Sequence, residues 1–443
     1  MQPDTTIEQK QQAQHPRKAL RVAIASFIGT TLEWYDYFIY GAAAAIIIGP
    51  LFFPTYSAAA GTLAAFATYS VGFLARPLGG ILMGHYGDRI GRKPMLVLSM
   101  LTVGAATFAV GLLPTYESIG VWAPILLVTC RFIQGLGVGG EWSGAVLMAT
   151  EHAPPRRRTF YGSFPQMGLA AGVILANVAF LLVTQSLSTE AFSTWGWRIP
   201  FLSSAVLIIV GLVLRVSIDE SPEFVARSAE TKRPDRTPIA TVLKFNKKQI
   251  ALGAGAMLGT GTMGYVVSLY VLSYTTTNLQ QNRSTILLFT LISATVWLIV
   301  TPLSALLADS IGRLKVLAWG GIGLTVSTAA LFPLLDTRNS ALILFAMVLV
   351  ALFVGVTYGP VAALLADLFN PEVRYSGTSL AYQIGTILGG GLAPTIATAL
   401  YASNQSSTPI TIYLTVLTLV SIASVVVVAR KQTAGGADPA LAR

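Results

Sequence analysis

Charge is scarce in this chain. Only 11% of its 443 residues are Asp, Glu, Lys or Arg, against about 25% in a soluble globular domain. With 53% hydrophobic residues and a mean hydropathy of +0.66, it cannot clothe an ordinary water-facing surface. Cysteine is scarcer still. Cys130 stands alone inside an apolar run, which excludes an intrachain disulfide and a cysteine-based metal site. The three histidines, His15, His85 and His152, lie in or beside polar segments, so no histidine metal centre is expected in the membrane and no cofactor is implied. The phosphate loop Gly-x4-Gly-Lys-Ser/Thr is missing, which argues against ATP-driven pumping. No nucleophile–base or metal constellation is in view, so no enzyme is expected. Alternating ten-residue segments, the mark of a membrane β-barrel, are also missing.

What the chain has is long apolar runs. They predict an all-α membrane protein with twelve transmembrane helices near 22–48, 60–85, 95–113, 123–148, 162–185, 197–216, 250–276, 285–308, 315–335, 340–366, 376–401 and 408–430, each long enough for the ~30 Å hydrocarbon core. The net charge of +10 is placed by topology. Lys and Arg gather at Arg17/Lys18/Arg21, Arg89/Arg92/Lys93, Arg156–Arg158, 227–248, Arg313/Lys315, Arg374 and Arg430/Lys431, while the alternate loops hold only Arg283 and Arg338. The positive-inside rule then puts both termini and the 217–249 loop in the cytoplasm, and no nucleic-acid partner is needed to explain the charge. The first run is too long for a signal peptide and lacks its cleavage pattern, so the first span should be retained. The expected organisation is a tail 1–20, a half 21–216, a linker 217–249, a half 250–430 and a short tail 431–443.

Two acids interrupt the first span, Glu33 and Asp36, in Gly29-Thr-Thr-Leu-Glu-Trp-Tyr-Asp-Tyr-Phe-Ile-Tyr-Gly41. Each costs about 2.5–3.5 kcal/mol at mid-membrane, so an intramembrane acid points to function. Three apart, they share a helix face. Glu33 lies about 18 Å of helix beyond Arg21, near the membrane's middle. Two close carboxylates in a low dielectric cannot easily both ionise, which makes the pair a proton site.

The chain also repeats itself. Asp88-x-x-Gly91-Arg92 returns as Asp309-x-x-Gly312-Arg313, half a chain later. Glu151-x3-Pro155-x2-Arg158 returns as Asp367-x3-Pro371-x2-Arg374, and Gln166-x-Gly168 as Gln383-x-Gly385. Same order and near-constant offset imply two six-span halves joined by the polar linker.

The repeat, the span count and Gly84-His-Tyr-Gly-Asp88-Arg89-Ile-Gly91-Arg92-Lys93 resemble the major facilitator superfamily over essentially the whole chain. Gly29–Gly41, Arg76-Pro-Leu-Gly79, Gly135-Leu-Gly-Val-Gly-Gly-Glu141-Trp142, Gly196-Trp-Arg-Ile-Pro-Phe201 and Glu220-Ser-Pro-Glu-Phe224 resemble its metabolite:proton symporters, which carry shikimate, α-ketoglutarate, other di- and tricarboxylates, and proline or betaine. The resemblance implies a multi-pass protein of the cell inner (plasma) membrane, a monomer, whose partners are a small organic acid, a proton and the lipid bilayer. It also implies that Gly84, Asp88, Arg89, Gly91, Arg92 and Lys93 latch the cytoplasmic side, with Glu151 and Arg158 as partners. Asp309, Gly312, Arg313, Asp367 and Arg374 form the second copy. There Ser310 and Leu314 replace Arg89 and Lys93, so it should hold less firmly.

Arg131, in Arg131-Phe-Ile-Gln134-Gly135-x-Gly137, resembles the superfamily's proton-coupling motif. A permanent cation in lipid needs an acid or an anionic substrate. Glu33, Asp36 and the substrate are the candidates, and Glu141 falls on about the same face. Glu33, Asp36, Arg131 and Glu141 therefore form the expected proton-coupling set. Arg76 is either packing or part of a gate. The second half has no charge inside its spans and offers tyrosines instead, Tyr265 among them; phenols suit hydroxylated or carboxylated solutes. Expected substrate-binding residues are Tyr37, Arg131, Gln134, Gln166, Tyr270, Tyr274, Tyr358, Tyr382 and Gln383. The glycines around Gly135–Gly140 and Gly389–Gly391 read as close helix packing.

The sequence thus predicts a proton-coupled symporter that imports a small organic acid by alternating access. Protonation of Glu33 or Asp36 would free Arg131 for the substrate carboxylate. A proline/betaine importer is the alternative; osmosensing members carry a long C-terminal coiled coil, and thirteen residues follow Arg430 here. A proton-antiport exporter is a further alternative, though Gly162–Asn177 lacks the Gly-Pro pair usual in antiporters of this fold.

Overall fold

The computed structural model describes residues 5–90, 92–139, 141–216, 244–370 and 373–434, and within these the side chains of 5–18, 84–85, 87–93, 96, 214–216 and 431–434 lie outside the description. Of the expected gate residues, Gly91 falls outside the described residues, as does the linker from 217 to 243, and for Gly84, Asp88, Arg89, Arg92 and Lys93 only the backbone is described.

Apolar runs without internal hydrogen-bond partners in lipid must close their backbone bonds locally, and helices do so. No strand occurs among the described residues. Helix α1 runs Thr5–Ala43, passes through a π turn, Ala44–Ile48, and ends as Gly49–Phe52. It is followed by α2 (Ala58–Ile90) and α3 (Arg92–Leu112). The fourth helix, α4, is Trp122–Val138 continued by Glu141–Glu151. Then come α5 (Arg158–Ser186) and α6, which joins Ile199–Leu202 to Ser204–Val216. The second half starts with α7, Lys247–Tyr265 with a π turn Val266–Tyr270 and a last piece Val271–Thr277. It continues as α8 (Arg283–Ile311), α9 (Arg313–Asp336) and α10 (Ser340–Asp367). Helix α11 is Arg374–Thr386, a π turn Ile387–Gly391 and Ala393–Asn404; α12 is Thr408–Ala434.

Eleven of these helices are long and apolar enough to cross a membrane, and α3 offers only the shorter apolar stretch Val97–Leu112. The repeat is visible in the backbone. The π turns of α1 and α7 stand at matching positions, and Gly41, just ahead of the first, packs on the second: a Cβ there would lie 2.7 Å from Leu269. Gly312 ends α8 with φ +100°, a conformation that glycine adopts without strain, which accounts for the glycine in the second Asp-x-x-Gly-Arg. Within the first half α1 packs on α5, and α4 on α2 and α3; within the second, α8 and α9 pack on α10, and α7 on α11 and α12. The halves meet where α5 lies against α8 and α10 and where α2 lies against α11.

The glycine-rich stretches are packing devices, as expected. A Cβ on Gly135 would come 2.1 Å from the Gly72 carbonyl, and one on Gly139 would come 2.1 Å from the Arg76 carbonyl. The α2–α4 crossing is thus backbone on backbone. Across the seam, Gly391 leaves room for Phe73, and within the second half Gly390 leaves room for the Tyr265 ring.

Candidate functional site

The acids come together inside the first half. Glu33 and Asp36 on α1 and Glu141 on α4 are all buried, and with Leu32, Met100, Val103, Leu207 and Ile208 they line a cavity of about 20 Å³, room for a single water. The hydroxyls at its rim come from α3. Ser99 Oγ lies 2.6 Å from the Gly137 carbonyl and 3.0 Å from Glu141 Oε2. Thr107 faces the Asp36 carboxyl.

A second layer holds two arginines, both fully buried. Arg131 Nη1 donates to Gln134 Oε1, and Gln134 Nε2 donates to Thr107 Oγ1 at 2.8 Å. The Arg131 guanidinium carbon lies 3.9 Å from the centroid of the Tyr40 ring, 4.8 Å from Tyr37 and 5.4 Å from Tyr69. Arg76 shares Tyr37. Its guanidinium carbon is 4.1 Å from that centroid, 4.1 Å from Phe73 and 5.0 Å from Trp34, and its Nε donates to Tyr37 Oη at 3.3 Å. Aromatic faces attract a cation but do not accept its N–H groups in the plane. Nη1 and Nη2 of Arg76, and Nε and Nη2 of Arg131, have no hydrogen-bond partner among the described residues. Among the described residues no ion pair joins Arg131 to Glu33 or Asp36, and Arg131 is linked through Gln134 to Thr107.

Arg76 faces the seam. Tyr265 of α7 packs against Trp34 (6.0 Å between centroids), Phe38 (5.7 Å) and Phe73 (5.3 Å) of the other half, and its hydroxyl has no hydrogen-bond partner among the described residues. Toward Glu151, about 13 Å along α4 from Trp142 at 1.5 Å per residue, the halves are closed by a second set. Trp142 stacks on Tyr382 with centroids 3.7 Å apart and planes at 8°. Trp142 Nε1 donates to Gln166 Oε1 at 2.7 Å, and Gln166 Nε2 donates to the Tyr358 carbonyl at 3.1 Å. Gln383 Nε2 donates to the Gly139 carbonyl at 2.8 Å. On the other side of Arg76, Ser70 Oγ reaches the Gly391 carbonyl at 2.7 Å and Thr395 Oγ1 at 3.0 Å. The seam is shut on both sides.

Of the sequence-predicted residues, Tyr37, Arg131, Gln134, Gln166, Tyr358, Tyr382 and Gln383 gather at or beside this seam. Tyr270 and Tyr274 do not. Tyr270 donates to the Ala397 carbonyl at 3.1 Å, and Tyr274 donates to Asp336 Oδ1 at 2.5 Å, in a cluster with Phe332 and Tyr401 at the far end of α7 and α9. At the basic end, the second Asp-x-x-Gly-Arg copy spans the halves. Asp309 accepts from the backbone N–H of Thr159 (3.1 Å) and Phe160 (2.9 Å), at the start of α5, where the helix dipole favours an anion. Arg313 pairs with Asp367. Glu151 ends α4, Arg158 is exposed at the start of α5, and Arg374 starts α11.

Sequence reasoning missed the aromatic part of the site, Trp34, Tyr69, Phe73, Trp142 and Trp297, and left Arg76 undecided. The signal available was Trp34 lying between the two acids in the first span. Trp297, 5.6 Å from Tyr358 between centroids, gave none, because nothing in its run separates it from a lipid-facing tryptophan.

Two helical halves that meet over buried arginines, with buried acids close by, fit a membrane transporter. Comparison with known proteins agrees. The Major Facilitator Superfamily profile matches residues 26–394 and 262–440. The chain is 43% identical over 401 residues to the inner membrane metabolite transport protein YhjE of Escherichia coli (strain K12), covering 89% of this chain and 90% of that one. It is 39% identical over 416 residues to the shikimate transporter of the same organism (91% and 92% covered), and 34% identical over 434 residues to its proline/betaine transporter (95% and 86%). A crystal structure of a D-xylose–proton symporter has the same fold, with a TM-score of 0.72 at 19% identity over 92% of this chain and 96% of that one. The chain belongs to the major facilitator superfamily, in its metabolite:proton symporter family, and is a multi-pass inner membrane transporter rather than an enzyme.

Proposed function

We propose that the protein is a proton-coupled symporter that imports a small organic acid by alternating access. The observation that carries this reading is Arg76: a fully buried guanidinium at the seam whose two terminal nitrogens have no hydrogen-bond partner among the described residues. A buried unpaired cation is costly, and a carboxylate can take both terminal N–H groups of arginine at once. We assign the substrate carboxylate to Arg76, with Tyr37, Tyr265, Tyr358 and Tyr382 around the body of the solute and Arg131 and Gln134 beside it. Glu33, Asp36 and Glu141 are assigned the proton. Gln166 and Gln383 close the seam on the basic side, backed by Asp309, Gly312, Arg313 and Asp367 and by the first latch copy with Glu151, Arg158 and Arg374. The reading includes twelve crossings, halves at 21–216 and 250–430, both termini and the linker in the cytoplasm, and a monomer.

The second reading, a proline or betaine importer, draws support from the 34% identical proline/betaine transporter and from the aromatic walls, which could face a quaternary ammonium. Against it, the faces of Tyr37, Phe73 and Trp34 are already turned to Arg76, and a second cation there would be repelled. The test is uptake into proteoliposomes under an inward proton gradient, with labelled shikimate, α-ketoglutarate, aromatic acids, proline and betaine. Gradient-driven uptake of an acid supports the reading. Uptake of betaine or proline alone establishes the second, and uptake indifferent to the gradient defeats both.

A further inference from the structure

Trp297 of α8 stands where Arg76 stands in the first half. It follows Arg76 by as many residues as Asp309 follows Asp88. The packing agrees. A Cβ on Gly139 of α4 would come 2.1 Å from the Arg76 carbonyl, and one on Gly355 of α10 would come 3.1 Å from the Trp297 carbonyl. Both side chains are buried, and Nη1 and Nη2 of Arg76 and Nε1 of Trp297 have no hydrogen-bond partner among the described residues. The two places share an unmet N–H donor, and only the first carries charge.

Trp297 lines a cavity of about 10 Å³ inside the second half, with Val267 and Ser268 of α7, Thr290 and Ser293 of α8, and Val354 of α10. Val267 and Ser268 belong to the π turn of α7, an irregularity that often marks a functional site. Ser293 lies one turn before Trp297, on the same helix face. Thr290, Thr301 and Ser304 of this helix each donate to a carbonyl three or four residues back. Ser293 Oγ is buried too, yet it has no hydrogen-bond partner among the described residues. Two unmet polar groups on one small cavity are costly unless something fills it.

The space suits a single oxygen, that of a water or of a hydroxyl. Chemistry narrows the choice of solute group. An indole N–H only donates, while a serine hydroxyl donates once and accepts, so a solute hydroxyl can accept from Trp297 and donate to Ser293. None of the lining residues is charged. A carboxylate finds no cation there, and an ammonium group meets an N–H that repels it. Trp297 also borders the seam. Its ring lies 5.6 Å from that of Tyr358 between centroids. On its other side, a Cβ on Gly264 would come 2.9 Å from the indole, and the next residue, Tyr265, packs on Phe73 of the first half.

We propose that Ser293 and Trp297 form a neutral pole of the solute site that takes a hydroxyl of the substrate, and that the transported solute is a hydroxylated carboxylic acid, its carboxylate on Arg76. The inference rests on the acid-import reading above and names its substrate class. The test is calorimetric binding to the purified full-length protein, with no gradient. The probes are three pairs of acids that differ in their hydroxyls: shikimate and 1-cyclohexene-1-carboxylate, malate and succinate, citrate and tricarballylate. Proline and betaine are measured alongside. Wild type should favour the hydroxylated member of the pair it binds by about tenfold or more, the size of a hydrogen bond lost with its buried partners left unpaired. Ser293→Ala and Trp297→Phe should each erase most of that preference by weakening the hydroxylated member alone. Arg76→Lys should weaken both members alike. Wild type that binds the two members equally overturns the inference, and the cavity then holds a water only. So do Ser293→Ala and Trp297→Phe variants that keep the wild-type preference, or that weaken both members alike as a merely structural role would. These results leave the acid reading intact. Wild type that binds none of the acids removes that reading and this inference with it.

Discussion

Gln166 and Gln383 occupy matching places in the two halves and make the same contact in opposite directions. Gln166 reaches from α5 to the Tyr358 carbonyl on α10, and Gln383 reaches from α11 to the Gly139 carbonyl on α4. Each carbonyl lies on the helix that is the other's counterpart in the repeat. A single sequence echo, Gln-x-Gly, is thus a two-fold clasp across the seam, with the Trp142–Tyr382 stack between its arms.

If the clasp holds the basic side shut, breaking one arm should open it. Replacing Gln383 by Leu removes a hydrogen bond worth about 0.5–1.5 kcal/mol and leaves a buried carbonyl unmet. Maleimide labelling of a cysteine placed at Ser379, beside Gly80 on the α2–α11 seam, should then rise about three- to tenfold over the same cysteine with Gln383 intact, the factor that this energy implies. Gln166→Leu should do the same, and unchanged labelling in both would remove the clasp from the gate.

The assignment of the substrate carboxylate predicts a particular loss at Arg76. Lysine keeps the charge but not the planar fork. Arg76→Lys should raise KM for the transported acid by about tenfold or more, the cost of one charge-assisted hydrogen bond, and Arg76→Gln should abolish uptake. An Arg76→Lys variant with wild-type KM would move the carboxylate elsewhere, Arg131 first.

Packing makes a prediction independent of transport. Gly135→Ala drives a methyl to 2.1 Å from the Gly72 carbonyl, backbone that cannot step aside, and overpacking of this kind costs about 1–3 kcal/mol or more. Gly261→Ala meets nothing within 4 Å. The first should lower the Tm of the purified protein by several degrees, about what such a loss implies, and the second should leave it unmoved.

Some of this was legible in the chain and some was not, for physical reasons. Glu33 and Asp36 announce themselves because carboxylates in an apolar run have no structural excuse, and the basic loops announce topology because charge stays out of lipid. The Asp-x-x-Gly-Arg echo is legible through Gly312, whose backbone needs glycine. Arg76 was ambiguous because a sequence does not say what faces a residue: with an acid nearby it would be structural, and what it meets instead is rings and the seam. The stack of Trp142 on Tyr382 joins residues from different halves, and no local pattern encodes that. Tyr270 and Tyr274 read correctly as one face of one helix, but Tyr274 turns to Asp336 and Tyr270 to the Ala397 carbonyl rather than to the seam.

Proton loading and acid binding are placed on different residues in this account, and one measurement separates them. Substrate added outside de-energised proteoliposomes, with an external pH dye, reports protons entering with the acid. Wild type should alkalinise the medium. Asp36→Asn and Glu33→Gln should still exchange labelled substrate while the pH signal falls about tenfold or more, and Arg76→Lys should give the full signal once substrate is raised about tenfold, the amount expected for one lost charge-assisted bond. A wild type that transports acid with no pH change, or acid-site variants whose pH signal equals that of wild type, would contradict the account.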